Sequence, residues 1–155
     1  RVVISLNTRP LKEVSLNIFA HLGKFIYRTD NPTLGNGHNI SASITLKPTS
    51  KLNLEFSYDR ARLSDEISDE LFYDGNIYRC VAIYQFSQET FFRTILQYNS
   101  FDDSYRLYPL FSYKLGAFTT FYAGATSNYK KYNNYGITIN TDQQYFVKLQ
   151  YLIGT

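Results

Sequence analysis

Every second residue from Ile40 to Lys47 is apolar: Ile40, Ala42, Ile44 and Leu46 alternate with Ser41, Ser43, Thr45 and Lys47 without a break. In an extended chain this spacing gives each set its own face, so the segment is predicted to be a strand with one apolar and one polar side. The next segment repeats the pattern, with Leu52, Leu54, Phe56 and Tyr58 against Asn53, Glu55, Ser57 and Asp59. Towards the end of the chain Tyr145, Val147, Leu149, Tyr151 and Ile153 oppose Phe146, Lys148, Gln150 and Leu152. No stretch carries a convincing helical period. With weaker examples the alternation predicts nine strands, at about 2–8, 13–22, 39–47, 51–60, 76–87, 90–99, 104–115, 117–127 and 143–153. Short turns are expected at Pro10, at Pro48 to Ser50, at Ser87 to Glu89 and near Gly116. Polar connections of about fifteen residues are expected at 24–38, 61–75 and 128–142, and a shorter one between Asn99 and Ser104.

A meander with short turns at one end and longer connections at the other is the plan of bacterial outer-membrane barrels. The predicted fold is therefore all-β, an antiparallel up-and-down transmembrane barrel in the outer membrane. Lipid offers no hydrogen bonds, so Ile44, Leu54, Phe56, Phe86, Phe92, Tyr113, Val147, Leu149 and Tyr151 are expected to face it. Glu55, Arg79, Arg93, Gln97, Arg106, Lys114 and Lys148 are expected to face the lumen. Phe86, Phe92, Tyr113, Tyr145 and Tyr151 fall near strand ends, where an aromatic girdle meets the lipid boundary. Around the turn after Phe86, opposing Gln85 with Arg93 also opposes Phe86 with Phe92, Ala82 with Leu96 and Cys80 with Tyr98, so polar meets polar and apolar meets apolar.

Composition narrows the classes. Of 155 residues 44% are hydrophobic, enough for one folded domain, and the 15 Tyr and 12 Phe are more than a core of this size hides. No apolar run approaches the ~18 residues of a membrane-spanning helix. The 16 basic and 13 acidic side chains give a net charge of +3 and are mixed along the chain, which makes nucleic acid an unexpected partner. A single cysteine, Cys80, allows no internal disulfide and no thiolate metal cluster. The chain starts at Arg1, contains no Met and lacks the order of a signal peptide, so it is expected to be processed or a fragment. Nine strands is an odd number, whereas single-chain bacterial barrels have an even one. The expectation is thus the C-terminal portion of a larger barrel whose remaining strands are partners of these.

Several runs resemble a known family: Asp74-Gly75-Asn76-Ile77-Tyr78-Arg79, Tyr84-Gln85-Phe86-Ser87, Gln97-Tyr98-Asn99-Ser100, Pro109-Leu110-Phe111-Ser112-Tyr113-Lys114 and Phe146-Val147-Lys148-Leu149-Gln150-Tyr151-Leu152. They look like the C-terminal strands of uncharacterised gram-negative outer-membrane proteins in which a carbohydrate-binding-module-like domain of family-9 type precedes a large β-barrel. The likeness covers about the last 85 residues well and the first 70 in general character. It implies location and architecture, with outer-membrane lipid, the barrel-assembly machinery and other outer-membrane proteins as partners. It carries no catalytic residue onto this chain.

The remaining chemistry-bearing residues have plain readings. His21 is expected on the polar side of a strand and His38 in a glycine-rich loop, lining and solvated respectively, and not a metal pair. Cys80 shares its face with Tyr78, Ala82 and Tyr84 and reads as a small side chain making room for Tyr98. Asp65, Glu66, Asp69 and Glu70 lack the spacing of a calcium loop. Asn31 to Gly37 has glycines without a following helix and reads as a turn-rich loop rather than a phosphate cradle. Lys130 and Lys131 among tyrosines are weak candidates for surface sugars or phosphates. No Ser, His and Asp set and no facing carboxylate pair is in register, so no catalytic residue, cofactor or metal is assigned. The function expected is a non-catalytic outer-membrane barrel acting as anchor, scaffold or solute passage. An outer-membrane lipase or protease and a soluble β-barrel binding module are the alternatives.

Overall fold

Alternation of this kind has one economical outcome, an antiparallel sheet in which each strand pairs with the next, and the computed structural model has that form. It describes residues 1–132 and 137–151. Among them nine strands follow in order, β1 (Val2–Leu11), β2 (Val14–Tyr27), β3 (Thr33–Thr49), β4 (Leu52–Asp65), β5 (Leu71–Gln85), β6 (Thr90–Asn99), β7 (Ser104–Lys114), β8 (Thr119–Tyr132) and β9 (Ile137–Tyr151). They lie side by side in sequence order in one sheet, every neighbouring pair antiparallel. No pairing among the described residues joins β1 to β9, so the sheet is open, and the side chains of both edge strands are exposed throughout. Residues 152 and 153, expected to finish the last strand, lie outside the described residues.

The strands are 10 to 17 residues long, well beyond the usual five or six. The connections expected to be fifteen residues long are therefore mostly strand. β2 continues to Tyr27 and β3 begins at Thr33, and β4 continues to Asp65 with β5 beginning at Leu71. At this end Asn36, His38, Arg62 and Asp74 replace apolar residues on one face while Phe25, Leu63 and Tyr73 lie on the other, so the alternation fades while the backbone ladder runs on. Asn31 to Gly37 is accordingly the start of β3 for most of its length.

At the other end Pro10 and Pro48 lie inside strands, not at the turn tips. Each falls where the register shifts, between Thr8 and Leu11 and between Leu46 and Thr49, which suits a residue without an N–H to contribute. The short turns are tied to the next hairpin: Lys47 N donates to Glu13 O at 2.8 Å, Gln85 N to Lys51 O at 2.7 Å and Lys114 N to Glu89 O at 2.9 Å.

The β5–β6 register is two residues from the expected one. Gln85 lies opposite Phe91 and Tyr84 opposite Phe92, with Cys80 facing Leu96 and Tyr98 facing Tyr78. Phe86 N and Ser87 N both donate to Thr90 O, closing the turn two residues earlier than expected. A slip of two keeps each side chain on its face, so polarity matching is blind to it.

Candidate functional site

Directly opposed residues in antiparallel strands share a face, so the registers sort the side chains into two surfaces. One contains Glu55, Arg79, Arg93, Gln97, Arg106, Lys114 and Lys148; the other contains Ile44, Leu54, Phe56, Phe92, Tyr113, Val147, Leu149 and Tyr151. Phe86 sits in the turn beyond β5, its ring edge-on to that of Tyr84 at 4.9 Å, and continues the second face.

The polar face carries a row that crosses the whole sheet: Asn7, Asn17, Ser43, Ser57, Arg79, Gln97, Arg106, Asn128 and Asp142 are each directly opposite the next. Every member is polar. Asn17 Nδ2 donates to Ser43 Oγ at 3.3 Å, and Asn128 Nδ2 to Asp142 Oδ2 at 3.3 Å while its Oδ1 accepts from Tyr108 OH at 3.1 Å. Sequence reading found Arg79, Gln97 and Arg106 here and missed the other six as a set. Phe19 and Phe25, on the polar side of β2, weaken the alternation around Asn17, and only aligning the strands reveals the row. Other parts of this face are well covered. Leu63 is 1% exposed and Ser112 2%, and Asn53 Oδ1 and Arg93 Nε, flanking Ile83, are buried with no partner among the described residues.

The opposite face is apolar and open. In the interior strands Phe56 is 43% exposed, Tyr78 48% and Leu96 50%. One margin of this face is a tyrosine row, Tyr58, Tyr78, Tyr98, Tyr105 and Tyr129, each opposite the next on β4 to β8. Neighbouring rings are 5.1, 6.2 and 4.6 Å apart from Tyr58 through Tyr105. The other margin is a second aromatic band. Tyr84, Phe92 and Phe111 share a row, Tyr113 and Phe121 the next, and Tyr151 lies one row further on. Tyr145 faces Ala125, inside β9 and not near its end. Yet it precedes Tyr151 by six residues, as Tyr78 precedes Tyr84, so the band keeps its height while sliding along the strands.

The isolated candidates are absorbed by the fold. His21 and His38 are on opposite faces and cannot share a metal ion. His21 lies between the rings of Phe19 and Phe25, while His38, in β3 rather than a loop, accepts from Arg60 Nε at 3.2 Å. Cys80 faces Phe56 and Leu96. Asp65 Oδ1 accepts from Ile67 N and Ser68 N, both at 2.8 Å, and these bonds hold its carboxyl below the usual carboxylate range. Glu66 pairs with Lys24, Asp69 accepts from Ser64 Oγ, and Glu70 N donates to Ser68 Oγ. Lys130 lies opposite Ser104 and Lys131 N donates to Asp103 O. Among the described residues no group of three or more His, Cys, Asp or Glu is placed to hold a metal, and no helix is long and apolar enough to cross a membrane.

Comparison with known protein families, characterised proteins and solved structures finds no match to this chain. The likeness to outer-membrane barrel proteins therefore rests on the residues quoted for it.

Proposed function

We propose that these residues are part of an outer-membrane β-barrel, with the apolar face in lipid and the polar row in the lumen, acting as anchor, scaffold or solute passage. The observation that carries this reading is the exposed apolar face between two aromatic margins. Interior strands of a water-soluble sheet would have to leave a contiguous apolar surface of this extent uncovered. Three features support it. Each strand reaches the ~9 to 11 residues a tilted transmembrane strand needs. The margins are six to eight residues apart, Tyr78 to Tyr84 and Tyr105 to Tyr113, about 20 to 26 Å along the strand. A tilt of ~40° reduces this to about 15 to 20 Å, and the rings at both margins extend it towards the ~25 Å apolar band of such barrels. Finally, the aromatic band slides about four residues from β5 to β9, about one per strand, the proportion found when eight strands close with a shear of 8.

The free edges of β1 and β9 would pair with further strands, since unpaired backbone groups in hydrocarbon cost several kcal/mol each. Arg79, Arg93, Arg106, Lys114, Lys130 and Lys148 outnumber Glu55, Asp59, Asp65 and Asp142 on the polar face, so its lumen would attract anions and polar solutes. Lipid vesicles test the reading. Protein made from the full reading frame is expected to insert from urea into phosphatidylcholine vesicles, resist carbonate extraction and protease, and run as a heat-modifiable band. The 155 residues alone are expected to aggregate or stay unfolded in detergent. A water-soluble, cooperatively folded monomer that ignores vesicles would overturn the reading.

A further inference from the structure

Past the tyrosine row the apolar face carries a cationic cluster. Arg60 and Arg62 follow Tyr58 on the same face of β4, opposite Asn76 and Asp74. Arg60 Nη2 is 3.2 Å and Arg62 Nη1 3.7 Å from Asp74, so two guanidinium groups share one carboxylate, and all three side chains remain partly exposed. Lys24, also on this face, is matched by Glu66. Within this cluster two guanidinium groups thus face a single carboxylate.

On the other side of the tyrosine row lies an open trough of about 650 Å³ whose lining includes Ile44, Phe56, Cys80, Leu96 and Leu107. The tyrosines form its upper edge. Two of their hydroxyls turn away from the trough towards the polar end: Tyr58 OH donates to Asn76 Oδ1 at 2.8 Å and Tyr98 OH to Asp103 Oδ1 at 3.0 Å. From trough to arginines the surface therefore passes from apolar, through hydroxyl, to cationic.

We infer that this gradient is a binding site for a phosphorylated lipid, its acyl chain in the trough, its backbone along the tyrosine hydroxyls and its phosphate on Arg60 and Arg62. A guanidinium fork matches phosphate oxygens in pairs, which suits these residues to that headgroup. A soluble anion would make no use of the trough, and a lipid without phosphate would make no use of the arginines. This rests on the membrane reading above.

The test uses detergent-solubilised protein from the full reading frame and three probes: phosphatidic acid, diacylglycerol with the same acyl chains, and inorganic phosphate. Affinities are measured by native mass spectrometry. Phosphatidic acid is expected to bind at least about tenfold more tightly than either of the others, and Arg60→Gln with Arg62→Gln to weaken it about 10- to 30-fold. Lys47→Gln with Lys51→Gln, at the short-turn end, should leave it unchanged. Equal binding of phosphatidic acid and diacylglycerol, equal binding of free phosphate, or indifference to the arginine pair would each overturn the inference. The three-probe comparison on the unmodified protein decides the matter even where the double variant misfolds. Vesicle insertion without lipid preference removes this site and leaves the barrel reading standing, whereas a protein that never enters vesicles removes both.

Discussion

Gly37 shows how tightly single positions are held where the hairpins extend beyond the apolar band. A Cβ there would lie 2.2 Å from Arg62 O and 3.1 Å from Leu63 Cα, both backbone, and at Gly35 the corresponding contact with Ser64 O is 2.5 Å. Leu63 fills the space these glycines leave, which is why it is the most covered large side chain among the described residues. Gly37→Ala is expected to destabilise the folded protein by about 1 to 3 kcal/mol in urea unfolding from vesicles. Gly116→Ala, with nothing within 4 Å of the added methyl, should stay within ~0.5 kcal/mol. Asp65 adds a pH-dependent fastening. Its carboxyl is held below the usual range by the Ser68 and Ile67 amides, so its stabilisation is complete above the ordinary carboxylate pKa and disappears as pH falls through the lowered value. Amide exchange measured after acid pulses should show Ile67 and Ser68 protected at neutral pH and released in strong acid, with Asp65→Ala released at both. None of this was legible in the sequence. Leu63 shares its face with Asp59 and Glu55, and its burial comes from glycines on a neighbouring strand.

Strand order and face assignment, by contrast, were legible, because period-2 alternation is local and survives any partner choice. Ile40 to Lys47 and Leu52 to Asp59 place their side chains as the pattern requires. Register and strand length were not. The β5–β6 slip of two preserves every polar and apolar match and is fixed by the Ser87 to Thr90 turn, where Ser87 Oγ bonds Glu89 Oε2 at 2.8 Å and Thr90 Oγ1 at 3.3 Å. The strand ends beyond His38 and Arg60 lost their signal where polar residues entered the apolar face and Phe25, Leu63 and Tyr73 the polar one. At this scale the two faces predict unequal tolerance. Leu54→Arg, on the apolar face between the aromatic margins, is expected to cost about 2 to 4 kcal/mol when folding into vesicles is followed, and Ser57→Arg, on the polar face, little. Equal costs would mean that neither face is distinguished by lipid.

Across the whole molecule the polar row and the apolar band belong to the same nine strands and differ only in residue parity. Their separation is global because no register shift carries a residue of the polar row to the other face. The candidate site was half legible for the same reason. Arg79, Gln97 and Arg106 stand out singly, but their alignment with Asn7, Asn17, Ser43, Ser57, Asn128 and Asp142 exists only after eight pairings are known. The stagger of the aromatic band is also a property of the assembled sheet. It links Tyr145 to the tyrosine margin although it faces Ala125 within β9.

The central claim, that the apolar face meets hydrocarbon and the polar face does not, can be measured with one probe at two adjacent positions. These 155 residues contain no Trp, so in protein from the full reading frame with any further Trp replaced by Phe a single introduced indole reports only its own surroundings. Leu54→Trp and Glu55→Trp place it on opposite faces of β4 at nearly the same depth. In vesicles of phosphatidylcholine brominated on its acyl chains, Trp fluorescence at position 54 should be strongly quenched and emit at short wavelength. At position 55 it should escape the bromines and yield to aqueous iodide. Quenching by brominated lipid at 55 and not at 54 would reverse the faces, and iodide quenching at both with no effect of brominated lipid would place the sheet in water and contradict the account.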